Sequence, residues 1–149
     1  MLTPISSQNE EGNWPTVEDK DIGLIQFCHG APGFILSLVA TRPYFPNLHT
    51  QIDAAIALGR KVTWEKGLLT KEPNICHGIH GNALALEGLQ REHFLALATP
   101  EKVEQGIRDG TFEKGSGSFG MLWGEAGRAS VWMDVWDGGE GKCVLYTDV

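Results

Sequence analysis

Positive charge is scarce in this sequence: 12 Lys and Arg stand against 19 Asp and Glu, a formal net charge of -7 over 149 residues. Without a basic run to neutralise phosphates, general binding to nucleic acid is excluded, and membrane association from this chain is not expected. Long apolar runs are missing too. No stretch approaches the roughly 18 apolar residues of a spanning helix, and the polar start MLTPISSQNEEGNW lacks the basic and apolar regions of a secretory signal. A cytoplasmic location is therefore expected. Cysteine is sparse and odd in number, three in all. That excludes a disulfide framework and points to a reducing compartment, where a thiol serves packing, metal binding or catalysis. Cys143, in GEGKCVLYTDV with no histidine near it, reads as structural or incidental.

What the chain does contain is a repeat. Cys28-His29-Gly30 and Cys76-His77-Gly78 lie 48 residues apart, in FCHGAPGFILSL and ICHGIHGNALAL. A third copy, LWGEAGRASVWM, keeps the glycines at Gly124 and Gly127, 46 residues after Gly78 and Gly81, but has lost Cys and His. Apolar patterning places a helix after each glycine motif: a nearly all-apolar run after Pro32-Gly33, a helix capped by Asn82 and running through Leu97, and one over about 126–135. Amphipathic stretches from Leu48 to about Lys66, and from Thr99-Pro100 to about Asp109, supply outer helices between them. Residues 1–20 are expected to be an irregular lead-in and 21–149 the repeat region, with 110–120 a glycine-rich loop. Alternating inner and outer helices with a period of 40 to 50 residues describe an all-α repeat array, in which function collects at the loops of one end.

Zinc prefers Cys sulfur and His nitrogen in tetrahedral geometry, and a catalytic site keeps three protein ligands and one open position. Cys28, Cys76 and His77 would supply that trio, with the following glycines providing the irregular turn that lets neighbouring side chains converge. A soft substrate thiol would suit the fourth position, although water activation is also open. A disulfide between Cys28 and Cys76 would account for the cysteines but leave the paired histidines unexplained. His29 is a candidate supporting group or proton donor, and His80 a candidate acid or a hydrogen-bonded loop histidine. His49 and His93 read as solvated or packing residues. Lys71, five residues before Cys76, could meet a substrate carboxylate.

Taken together, Gly12-Asn13-Trp14-Pro15, FCHGAPG, WEKGLLTKEPNICHGIHGNAL and SFGMLWGEAG resemble the C-terminal portion of the lanthionine synthetase C-like family, eukaryotic type. The resemblance implies an incomplete α/α toroid, the C-terminal part of a seven-layer ring of inner and outer helices. It implies zinc on Cys28, Cys76 and His77. It also implies activation of a thiol, from glutathione or a peptide Cys, for addition to a dehydroamino acid in an acceptor peptide. By the same resemblance Lys71 matches a lysine implicated in glutathione binding. Where the family offers an arginine before the last glycine motif, this chain has Glu113-Lys114. Complete family members carry further helical pairs upstream, with an acid or base histidine, so the chain covers only about three of the inner helices. Two other classes are considered: a non-catalytic zinc- or glutathione-binding interaction module, and a glycoside-processing toroid, for which Glu87 and Glu125 are the nearest carboxylates.

Overall fold

The computed structural model describes residues 4–17, 22–115 and 119–139. Among them the regular structure is helical, with no strand, so the chain is all-α. The first helix, α1 (Ala31–Thr41), carries Pro32 in its first turn, where a missing N–H leaves no bond unmade. Two 3-10 turns, Arg42–Tyr44 and Pro46–Leu48, then reverse the chain at the prolines. They lead into α2 (His49–Lys66), whose buried Ile52, Ala55, Ile56, Gly59 and Val62 recur at helical spacing. That stripe lies against α1. At Gly59 the backbone comes so near that a Cβ would sit 3.1 Å from Ile35 and 3.2 Å from the Trp14 ring.

The second inner segment departs from expectation. Instead of one helix capped by Asn82 and continuing to Leu97, there are two: α3 (Ile79–Ala85) and α4 (Gly88–Leu97). Leu86 and Glu87 are extended between them, and Gly88 has φ 50, a left-handed conformation that suits a residue without a Cβ. Asn82 is a bridge inside α3. Its amide nitrogen donates to the carbonyls of Ile25 (2.8 Å) and Gly67 (2.9 Å), tying the helix to the segments before α1 and after α2. Every residue of α3 is buried.

Thr99 opens α5 (Pro100–Asp109) by accepting from the Lys102 N–H, and Gly110 ends it in the left-handed region. The last helix, α6 (Glu125–Trp136), buries only Gly127 and Val131. Inner helices α1, α3 and α6 pack in sequence, with α2 on α1 and α4 on α3. The core runs between these layers, from Trp14 and Ile35 through Ile52, Ile75 and Ile79 to Phe94 and Val131. Each such side chain, removed fully from water, contributes about 1.5–3 kcal/mol before entropy is counted.

The segment ahead of the first Cys-His-Gly holds one 3-10 turn, Pro4–Ser7, yet it is tied to the core. Trp14 is fully buried and stacks on Phe34 with ring centroids 4.8 Å apart. Asn13 Oδ1 accepts the Ala31 N–H at 2.8 Å, satisfying an orphan donor at the start of α1 from outside the helix. Cys143 lies outside the described residues, as do 116–118 of the expected glycine-rich loop. Among the described residues no helix is long and apolar enough to cross a membrane.

Candidate metal centre

The three glycine motifs share a plan, although Gly30 has φ 113 where Gly78 and Gly124 are extended. Gly30, Gly78 and Gly124 are the N-cap residues of α1, α3 and α6. Three residues later, each helix presses a second glycine onto a carbonyl six positions upstream. A Cβ at Gly33 would lie 2.1 Å from the Phe27 oxygen, at Gly81 1.8 Å from that of Ile75, and at Gly127 1.8 Å from that of Met121. Such distances leave no room for a side chain.

The turns are also bonded to one another. The Cys28 N–H donates to the Cys76 carbonyl at 3.0 Å, and the Cys76 N–H to the Leu122 carbonyl at 2.8 Å. These are equivalent positions in the three copies, so one bond repeats from turn to turn. Its effect is chemical as well as structural: it sets the first two thiols side by side. Cys28 Sγ, Cys76 Sγ and a ring nitrogen of His77 all lie within 4.8 Å of one another. Among the described residues, no other group of three His, Cys, Asp or Glu side chains converges in this way. Cys28 and Cys76 are free thiols, so no disulfide joins them.

A tetrahedral zinc site with Zn–S near 2.3 Å and Zn–N near 2.0–2.1 Å holds its donors about 3.3–3.8 Å apart. Closing a triangle of at most 4.8 Å to that size takes side-chain shifts of about an ångström. Two soft sulfurs and an imidazole, with Cys28 exposed to solvent, fit zinc.

The electrostatics of the donors differ: the Cys28 thiol resists losing its proton, while His77 is kept neutral. Burial, then contact with Cys76, pushes the Cys28 thiol up to about 11, while the Lys71 charge opposes the shift. Without a metal the Cys28 thiol therefore stays protonated at neutral pH. His77 is held below its usual value, first by burial and then by Lys71, with Glu72 and Glu113 pulling the other way. It is therefore kept in the neutral form that ligates metals. Asn74, 1% exposed, holds this histidine in place. Its Oδ1 accepts the His77 N–H at 2.9 Å and its amide nitrogen lies 3.2 Å from His77 Nε2. Sequence reasoning passed over Asn74, although an Asn three residues before a backbone donor is a familiar turn signal.

The other expected site residues fall in different places. His29 is exposed, its Nδ1 3.2 Å from Cys28 Sγ. Lys71 is close enough for its charge to be felt at both Cys28 and His77. The Glu113 N–H bonds to the Thr70 carbonyl at 2.8 Å, which sets the Glu113 segment beside the Lys71 loop. His80 is 0% exposed and meets Trp132 edge-on at 6.2 Å. Burial, with a smaller contribution from the Arg128 charge, lowers it to about 4. The backbone of Pro73 and Ala98 favours its charged form, without meeting hydrogen-bond geometry. Its ring is thus neutral at physiological pH. His49 Nε2 contacts the Arg42 carbonyl at 3.1 Å, and His93 packs edge-on against Trp64. Glu87 is paired with Arg60 and Glu125 with Arg128, the first beyond the far end of α3 and the second at the start of α6. Their separation along the inner layer offers no flanking carboxylate pair.

Comparison with known proteins agrees with the motifs. A family model described as lanthionine synthetase C-like protein matches residues 3–142. The chain is 36% identical over 81 residues to the protein named glutathione S-transferase LANCL1 of Danio rerio, covering 54% of this chain and 20% of that one. It is 28% identical over 139 residues to LanC-like protein GCL1 of Arabidopsis thaliana, covering 83% of this chain and 30% of that one. The chain thus spans under a third of the length of either relative.

Proposed function

The chain belongs to the lanthionine synthetase C-like family, and on that basis we propose that it binds zinc through Cys28, Cys76 and His77 to activate a thiol. The carrying observation is the convergence of those three donors within 4.8 Å. The thiol would come from glutathione or a peptide Cys, and the acceptor would be a dehydroamino acid in a peptide. Zinc, when bound, supplies a Lewis acid that favours loss of the substrate thiol proton near neutral pH. The all-α fold then corresponds to an arc of the family's α/α toroid, with the metal at its loop end.

The chain's own groups have distinct parts in this scheme. Cys28, Cys76 and His77 would hold the ion, and the bound metal would polarise the substrate sulfur. Addition forms a bond from sulfur to the β-carbon of the acceptor, consumes its C=C bond, and places a proton on the α-carbon. His29 is exposed beside Cys28 and can take the thiol proton and return one at that carbon. His80, buried and neutral, has no access to either atom, so the proton work falls to His29. Lys71 offers its ammonium to a carboxylate of the thiol substrate. The name of the Danio rerio relative, glutathione S-transferase LANCL1, supports glutathione as the donor class.

The test is direct. Purified chain is analysed for zinc, then incubated with glutathione and a dehydroalanine peptide, and the peptide is weighed by mass spectrometry. The expected result is about one zinc per chain and a peptide heavier by one glutathione. A folded chain that takes up no zinc at micromolar concentration would overturn the proposal. Because the chain spans only 20–30% of its relatives, a second outcome has its own meaning. Zinc and glutathione binding without adduct above background identifies a non-catalytic interaction module.

A further inference from the structure

The two thiols of the candidate metal centre stand in a relation that ligation alone does not use. Cys28 and Cys76 come from turns 48 residues apart, yet the Cys28 N–H donates to the Cys76 carbonyl at 3.0 Å. A backbone bond of that kind holds two chain segments about 4.7–4.9 Å apart, as between paired strands. Disulfides close at Cα separations of about 4.4–6.8 Å. The sulfurs themselves lie within 4.8 Å of each other, so side-chain rotation on a fixed backbone is the movement that remains.

Access to the pair is one-sided. Cys28 is exposed and Cys76 is 8% exposed, so a reagent from solution meets Cys28 first and Cys76 is left to resolve the product. His29 Nδ1, 3.2 Å from Cys28 Sγ, is placed to take the thiol proton. Because Cys28 holds that proton at neutral pH without a metal, the first attack is slow. The position of the equilibrium, not its rate, is what the geometry governs.

We infer that Cys28 and Cys76 are a reversible dithiol and disulfide pair, oxidised by a small organic disulfide, and that the oxidised form cannot hold a metal. Exclusion of the metal rests on the zinc reading above; the pairing itself does not. Two exchanges make the bond. The Cys28 sulfur, its proton passed to His29, attacks one sulfur of the small disulfide RSSR and expels RS⁻, leaving a mixed disulfide on Cys28. Cys76 then attacks the Cys28 sulfur and expels the second RS⁻. Each RS⁻ takes up a proton, so two protein thiols and RSSR become one protein disulfide and two RSH, the protein losing the two electrons that RSSR gains. Neither sulfur is then a thiolate ligand, and His77 is left as a single donor.

The test uses the full chain with Cys143→Ser throughout, so that only these two of the three cysteines react. Protein stripped of metal by a chelator, its helical circular dichroism intact, is equilibrated with mixtures of glutathione and glutathione disulfide, in buffer and in urea. Its tryptic peptides are then weighed. In buffer the peptides bearing Cys28 and Cys76 are expected to be joined, with an effective concentration of one thiol at the other at least about 100-fold above that in urea, where a flexible loop gives a value on the order of millimolar. Cys76→Ser should stop the reaction at one glutathione on Cys28; should that variant not fold, the comparison of buffer with urea decides. The oxidised chain is expected to take up none of the roughly one zinc that the reduced chain binds, and dithiothreitol to restore uptake. Equal effective concentrations in buffer and urea would overturn the inference, as would glutathione on both cysteines in place of joined peptides. Equal zinc uptake by oxidised and reduced chains would overturn the exclusion of metal. A reduced chain that takes up no zinc sinks the function proposed above and that exclusion with it, while the joined peptides still decide the pairing.

Discussion

The turn around Gly78 and the turn around Gly124 have the same backbone and opposite chemistry. Both cap an inner helix, both press a glycine onto a carbonyl six residues upstream, and one hydrogen bond joins them. Where the first presents Cys76 and His77, the second presents Leu122 and Trp123. Scaffold and function are therefore written in different residues: the glycines make the turn, and the two positions before Gly78 or Gly124 decide what it does. The candidate metal centre is one use of a frame that the third copy keeps without it.

The sharpest break of that comparison is a pair of substitutions at equivalent sites. Cys76→Ala should leave a folded chain whose zinc content falls from about one per molecule to none at micromolar zinc, by elemental analysis. Leu122→Ala should keep its zinc and lose about 1–2 kcal/mol in urea unfolding, as expected for a half-buried leucine. Next, Gly81→Ala and Gly127→Ala should each destabilise by about 3 kcal/mol or more, because a Cβ at either point meets a carbonyl at 1.8 Å. A large loss at Gly81 with none at Gly127 would show that the third turn is not built like the second.

The two histidines of HGIHG give a comparison within one turn. His80 is lowered to about 4 against 6.5 for the free side chain, so the unfolded chain binds the extra proton. Its stabilising effect is fully present above about pH 6.5 and is lost as the pH falls toward 4, a change on the order of 3 kcal/mol. His80→Phe should flatten that part of the pH profile of urea midpoints. Zinc affinity should fall over the same range for a separate reason: the ligands must give up protons, and Cys28, pushed up to about 11, holds its own firmly. A smaller effect belongs to Asn74. Asn74→Ala should weaken zinc or cobalt binding about 10–100-fold by freeing His77, while leaving the cysteine ligands in place. Cobalt absorption reads this directly, and unchanged affinity would assign Asn74 to the fold alone.

Much of this was legible in the sequence because it is local or repeated. Helical spacing located α1, α2, α5 and α6, and the duplicated Cys-His-Gly marked the two turns whose thiols converge. What escaped notice depends on distant partners. Asn82 has the side chain of a cap, but its amide is spent on Ile25 and Gly67, contacts no local pattern reveals. The break at Glu87 and Gly88 was hidden by apolar residues on both sides, though Gly88 itself was a signal. Trp14 sits in a polar stretch, and only the stacking partner Phe34 explains its burial. His80 lies three residues from His77, yet a helix turn carries it away from the sulfurs and toward Trp132.

The single backbone bond from each turn to the next also acts as a ruler. It measures the array at the turns alone, so the stretch between them is free to vary, and units of 48 and 46 residues are accepted equally. Insertions in the outer helices or their loops leave the spacing of the thiols untouched. Duplication or loss of a whole unit shifts the count without disturbing the neighbours. A lineage built on such a frame can alter its outer surface freely while the inner rim, where chemistry is kept, stays in register.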